Sequence, residues 1–157
     1  MVNNSGLPKS EAKRHSSRLA SLQVELDKKR SSTQLPGYVK NQWGEYWAAD
    51  LVDKWLAANE FFCMTTDRSE RSAAKLSKAS FLLSLNRLDE AEEALFDVDA
   101  SAPRPDVLRT LAIIAARRGD LAKAKEIAAR IGSDVALFFF AISEEELKRE
   151  YEVGRRF

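Results

Sequence analysis

The sequence predicts an all-α protein of stacked antiparallel helical hairpins with capping helices on both flanks. Three observations predict it. Ala, Leu, Glu, Lys and Arg, all strong helix formers, are abundant in a chain of 157 residues that is 45% apolar and 31% charged, with six glycines and four prolines. Apolar residues recur at helical spacing along most of its length. One helix–turn–helix stretch also returns at an offset of 33 residues: Asn86-Arg87-Leu88-Asp89-Glu90-Ala91 aligns with Gly119-Asp120-Leu121-Ala122-Lys123-Ala124.

Residues 1–17 are polar, hold Gly6 and Pro8, and show no apolar period, so they read as a flexible basic tail. Residues 18–157 read as a single helical domain. Its first helix is short, Arg18 to Arg30, with Leu19, Leu22 and Leu26 on one face and Lys28, Lys29 and Arg30 at the C-terminal end of the helix dipole. The segment Ser31 to Gly37 breaks the pattern through Pro36 and Gly37. Beyond it Trp43, Trp47, Leu51 and Trp55 fall at successive i+4 steps and predict a long aromatic helix over 41–63.

Thr65, Thr66 and Asp67 offer caps for the next helix, 68–85, and Glu70 stands three residues after Asp67. After Asn86 and Arg87 a second helix covers 88–97, and Ser101 to Pro105 separates it from a third over 107–118. Gly119 then divides that helix from a fourth over 121–131, completing a repeat-like core at 68–131. Two C-terminal capping helices are expected over 134–153. The first is 134–142, with Leu137, Phe138, Phe139 and Phe140; the second opens on a capping box of Ser143 and Glu146.

Residues 75–131 resemble the tetratricopeptide family. The residues that carry the resemblance are Ala79, Leu82, Asn86, Leu88, Ala91 and Leu95 in one unit, and Ala112, Ala115, Gly119, Leu121, Ala124 and Ala128 in the next, with Pro103 where the family often ends a repeat. Lys75 and Lys78 depart from it, standing where the family usually has large apolar residues. The resemblance implies a short solenoid whose first helices line a concave groove, with Ser80, Leu83, Arg109, Ile113 and Ala116 facing it. The Lys and Asn clamp that the family uses for carboxyl-terminal peptides is missing, so a chaperone-tail ligand is not implied.

Catalytic chemistry finds little to work with. His15 is the sole histidine and lies in the tail, and no glycine loop of phosphate-cradling pattern is present. Cys63 is the sole cysteine, which rules out an internal disulfide and a cysteine-based metal cluster, and its apolar surroundings disfavour the thiolate. Glu144, Glu145 and Glu146 spread around a helix and favour its N-terminus without forming a metal site. No catalytic, cofactor or metal residues are assigned, and the chain is not expected to be an enzyme.

A protein-interaction module is expected instead: a scaffold or chaperone-like adaptor holding a peptide or helix of another protein. Besides the groove residues, Trp43, Tyr46 and Trp47 are candidate contacts, because Trp and Tyr are enriched at binding hot spots, although tryptophans at helical spacing are more often core. Net charge is +1, but residues 1–40 carry eight basic and three acidic groups. That basic segment supports two alternatives: a structural subunit of a larger assembly, possible also as an oligomer, and accessory nucleic-acid contact, which ranks last for want of a specificity element. With no secretory signal and no apolar run long enough to span a bilayer, a cytoplasmic protein without membrane contact is expected.

Overall fold

A computed structural model describes residues 9–64, 67–96, 98, 105–131 and 141–157. Among the described residues the protein is all-α, with seven helices and one two-stranded antiparallel sheet. The elements are α1 (Lys9–Lys29), β1 (Tyr38–Lys40), β2 (Tyr46–Ala48), α2 (Ala49–Phe62), α3 (Arg68–Ser84), α4 (Leu88–Phe96), α5 (Pro105–Arg117), α6 (Leu121–Ala129) and α7 (Glu144–Arg156). The chain divides into two compact units, residues 1–78 and 79–157, with α3 entering both. The phenylalanine-rich helix expected over 134–142, the caps Thr65 and Thr66, and Pro103 lie outside the described residues, except that Ala141 and Ile142 are described.

In the first unit α1 packs on α2 and β2. Leu19, Leu22 and Leu26 are buried, as the spacing predicts, but the helix starts at Lys9 rather than Arg18. Ala12, Lys13 and Arg14 are good helix formers, and no breaker stands between Lys9 and Arg18 to stop the turns from propagating.

The expected helix over 41–63 is corrected: its first part is a β-hairpin, and the helix is Ala49–Phe62. Tyr38 pairs with Ala48, Val39 with Trp47, and Lys40 with Tyr46. Asn41 decides this locally. Its buried Oδ1 accepts from the backbone N–H groups of Trp43 and Glu45, both at 3.0 Å, and Gly44 reverses the chain at φ +77°. A continuous helix would have oriented Trp43 and Trp47 alike. In the hairpin Trp43 is 62% exposed at the tip and Trp47 is 3% exposed, with ring centroids 5.9 Å apart. Ser31 bridges Tyr46 on the far side of β2, while Leu35 and Gln34 engage the backbone of Tyr38 in β1, so both edges of the small sheet carry hydrogen bonds.

Helix α2 buries Leu51, Val52, Trp55, Ala58 and Asn59. Asn59 is fully enclosed and satisfied: its Nδ2 donates to the Ala74 carbonyl of α3 at 3.2 Å, and its Oδ1 accepts from the Cys63 thiol at 3.4 Å. Asp67 does cap α3, its Oδ1 accepting from the Glu70 N–H at 3.0 Å. Lys78 forms an ion pair with Glu60.

The second unit holds the 33-residue repeat in its backbone. Ser84 and Arg117 end α3 and α5, and Leu88–Phe96 and Leu121–Ala129 form α4 and α6. The turns between them share two cap bonds. Arg87 N–H donates to Leu82 O and Asn86 N–H to Leu83 O; 33 residues on, Asp120 N–H donates to Ala115 O and Gly119 N–H to Ala116 O. These are the 6→1 and tighter bonds of a left-handed C-terminal cap, and Asn86 (φ +56°) and Gly119 (φ +91°) supply the left-handed residue. Ala91 and Ala124 are both fully buried, so each second helix approaches closely where a longer side chain would hold it off.

Helix α7 packs on α5 and α6. Ser143 caps it, Oγ accepting from the Glu146 N–H at 3.1 Å. Leu147 enters a cluster of Ala112, Ala115, Ala116 and Ala124, and Gly154 lies so near α5 that a Cβ there would fall 2.1 Å from the Arg117 carbonyl oxygen.

Candidate functional site

The second unit carries an open cleft of about 540 Å³ between α4, α5 and α6. Leu111, Ile114 and Ala115 of α5 and Ile127 of α6 give its apolar lining, and Glu92, Arg118, Asp120, Lys123, Glu126 and Arg130 its charges. The helix period explains this division: on α6, Lys123, Glu126, Ile127 and Arg130 stand at i, i+3, i+4 and i+7, one stripe of the cylinder.

The charges are not equally free. Arg118 is committed, with Nη2 2.6 Å from Asp89 Oδ1 and Nη1 paired with Glu92. Asp120 caps α6, its Oδ1 accepting from the Lys123 N–H at 3.0 Å. Among the described residues the side chains of Lys123, Glu126 and Arg130 form no ion pair or hydrogen bond, so one wall of the cleft offers two cations and an anion above an apolar floor. A volume in this range accommodates a few side chains of a peptide.

The expected contact residues are not gathered into one site. Trp43, Tyr46 and Trp47 belong to the first unit, where Trp47 is core, Tyr46 is half-buried and Trp43 alone is well exposed. In the second unit Ser80 is exposed and Ile113 half-buried, but Leu83 and Ala116 are buried and do not face an open groove. The reason is packing. Leu83 adjoins the turn where its carbonyl accepts from Arg117 Nη1, and Ala116 lies beneath α7 with Leu147. Arg109 is also held by α7, its Nη2 donating to Glu146 Oε2 at 2.9 Å and its Nη1 to the Ala141 carbonyl at 2.9 Å.

Arg117 is the least expected of these residues, a guanidinium only 3% exposed whose Nε donates to Glu150 Oε2 at 2.7 Å. It joins the end of α3, α5 and α7. Among the described residues two groups have shifted ionisation. The Lys125 ammonium hydrogen-bonds Glu144 and holds its carboxyl below the ordinary glutamate value. Burial, aided by the Glu60 carboxylate, pushes the Cys63 thiol up.

No family model, curated protein or solved structure matches this chain. Among the described residues no helix is long and apolar enough to cross a membrane. The residues of the cleft were legible only in part: the stripe Lys123, Glu126, Ile127 and Arg130 follows from helical spacing, but Glu92 and Arg118 join it through the packing of α4 on α5.

Proposed function

We propose that this chain is a protein-interaction module, a scaffold or chaperone-like adaptor that holds a peptide or helix of a partner protein against tetratricopeptide-like hairpins in its second unit. The single observation that carries the reading is the repeat of the Asn86 and Gly119 turns, with matching bonds and helix ends at an offset of 33 residues. Helical hairpins with that period serve as peptide-binding scaffolds when stacked. The cleft of α4, α5 and α6 is the contact surface we assign, its free charges setting register and its apolar lining supplying area. The free Cys63 suits a reducing compartment, in keeping with a cytoplasmic protein.

Trp43 favours a second reading, a structural subunit of a larger assembly. A tryptophan 62% exposed at a hairpin tip is a ready anchor for a neighbouring subunit. Affinity capture with the full chain separates the two. The Lys123→Glu/Arg130→Glu variant should recover at least about tenfold less partner than wild type, equivalent to ~1.4 kcal/mol of binding, while Trp43→Ala recovers it in full. Loss with Trp43→Ala alone would replace the module by the assembly subunit. A partner retained by both variants, with circular dichroism unchanged, would dismiss both surfaces.

A further inference from the structure

Helix α4 ends on Phe96, which at 84% exposure is the most open large apolar side chain among the described residues. It stands four residues after Glu92 and seven after Asp89, on one stripe of the helix. Arg118 bonds both of those carboxylates, and Glu92 and Arg118 line the open cleft. Phe96 therefore lies on the side of α4 that borders the cleft, one turn beyond Glu92. The opposite wall is the α6 stripe of Lys123, Glu126, Ile127 and Arg130, and Leu111 lies on the floor two turns back from Arg118. The polar end is already answered, since Arg118 takes up Asp89 and Glu92 and Asp120 caps α6. The charges left without a partner among the described residues are those of α6 alone.

We infer that the occupant of this cleft is an amphipathic helix of a partner protein with a defined pattern of side chains. Its apolar stripe seats against Phe96, Leu111 and Ile127. Its flank carries carboxylates seven residues apart, one for Lys123 and one for Arg130, with a base between them for Glu126. Spacing selects a helix. Lys123 and Arg130 stand seven residues apart on α6, a rise of about 10.5 Å. Residues seven apart on a second helix laid along α6 reproduce that distance, whereas one face of an extended strand offers about 6.6 or 13 Å. Phe96 supplies the apolar need: an aromatic ring left in water beside an apolar cleft gains from a partner that covers both at once. The charges fix register and direction while the apolar stripe supplies the area, as in other helix-in-groove complexes. The inference rests on the interaction-module reading and narrows its partner from any peptide to a helix of this pattern.

The test uses the full chain as bait for a display library of random peptides, each long enough for four helical turns. Enriched peptides should carry acids at i and i+7 with a base and apolar residues between, and circular dichroism should show them gaining helix on binding. The Lys123→Glu/Arg130→Glu chain should bind the best of them at least about tenfold more weakly. The same peptide with both acids replaced by lysine should recover that loss on the reversed chain. Phe96→Ala should also weaken binding at least about tenfold. All three substitutions alter exposed side chains, so the fold is kept and circular dichroism checks it. The inference is overturned if no peptide is enriched, if the enriched ones bind extended or proline-rich, if acids seven apart are not selected, if the lysine peptide gives no rescue, or if Phe96→Ala binds as wild type. A wild-type dimer abolished by Phe96→Ala would name a second copy of the chain as occupant and overturn the partner. Extended or proline-rich peptides whose binding is lost in Lys123→Glu/Arg130→Glu would sink this inference and leave the interaction module standing. A captured partner indifferent to that variant would instead remove the cleft from the module reading itself.

Discussion

Asn86 and Gly119 hold the same left-handed conformation at the same point of two hairpins, each donating its backbone N–H three residues back to the end of a helix. Their costs differ. Asn tolerates this region better than most residues, but its Oδ1 is enclosed without a partner, whereas Gly119 is free of strain. Asn86→Gly should therefore be neutral or stabilise by up to ~1 kcal/mol, and Gly119→Ala should destabilise by ~1–2 kcal/mol. Urea denaturation measures both, and a Gly119→Ala chain as stable as wild type would mean that the turn is not left-handed in solution.

Arg117 and Glu150 form the ion pair of α7 with the least exposed cation. Removing the carboxylate leaves a guanidinium in a nearly closed space with the Leu83 carbonyl still accepting from it. Glu150→Ala should cost about 2 kcal/mol, below the range for a fully buried pair because Glu150 is partly exposed. Arg117→Met, which removes the charge and keeps volume, should cost less than Glu150→Ala. The opposite order would show that the carboxylate is not what balances Arg117.

Lys125 and Glu144 make a pH-dependent contact. A carboxyl held below its ordinary value adds stability above that value and loses it as pH falls through the folded one, so the contribution fades below about pH 4.5. In Lys125→Met the Glu144 titration followed by NMR should move up toward that value. A midpoint unchanged by the substitution would show that the pair does not persist in solution.

Cys63 has the opposite sign. Burial favours its neutral thiol, and its Sγ donates to Asn59, so the group contributes stability below its unfolded value, near 9.0, and loses it as pH rises through the folded one. At pH 7.5 iodoacetamide should alkylate the native chain on the order of tenfold slower than the urea-unfolded chain. Equal rates would place the thiol in open solvent.

What could be read from residues alone depended on how far apart the deciding partners lie. Leu19, Leu22 and Leu26 predicted the buried face of α1, and Asp67 and Ser143 predicted two caps, because period and capping are settled within one or two turns. The hairpin at 38–48 was hidden by coincidence. Trp43 and Trp47 stand four residues apart, which a helix and a tight hairpin can both place side by side, and only the pairing of Val39 with Trp47 distinguishes them. The covering of Arg109 and Ala116, expected to face an open groove, has a different origin, since α7 returns from 37 residues beyond Arg109 to meet it.

The sequence by itself therefore determined the all-α class, the 33-residue period and the two left-handed turns, all products of local backbone geometry and the amphipathic repeat. Tertiary structure alone decided which faces are left open. Helix α7 covers Arg109 and Ala116, while α4, α5 and α6 leave a cleft bordered by Lys123, Glu126 and Arg130. The physical reason is that period shows which residues seek burial but not what buries them, and that depends on contacts between segments far apart in the chain.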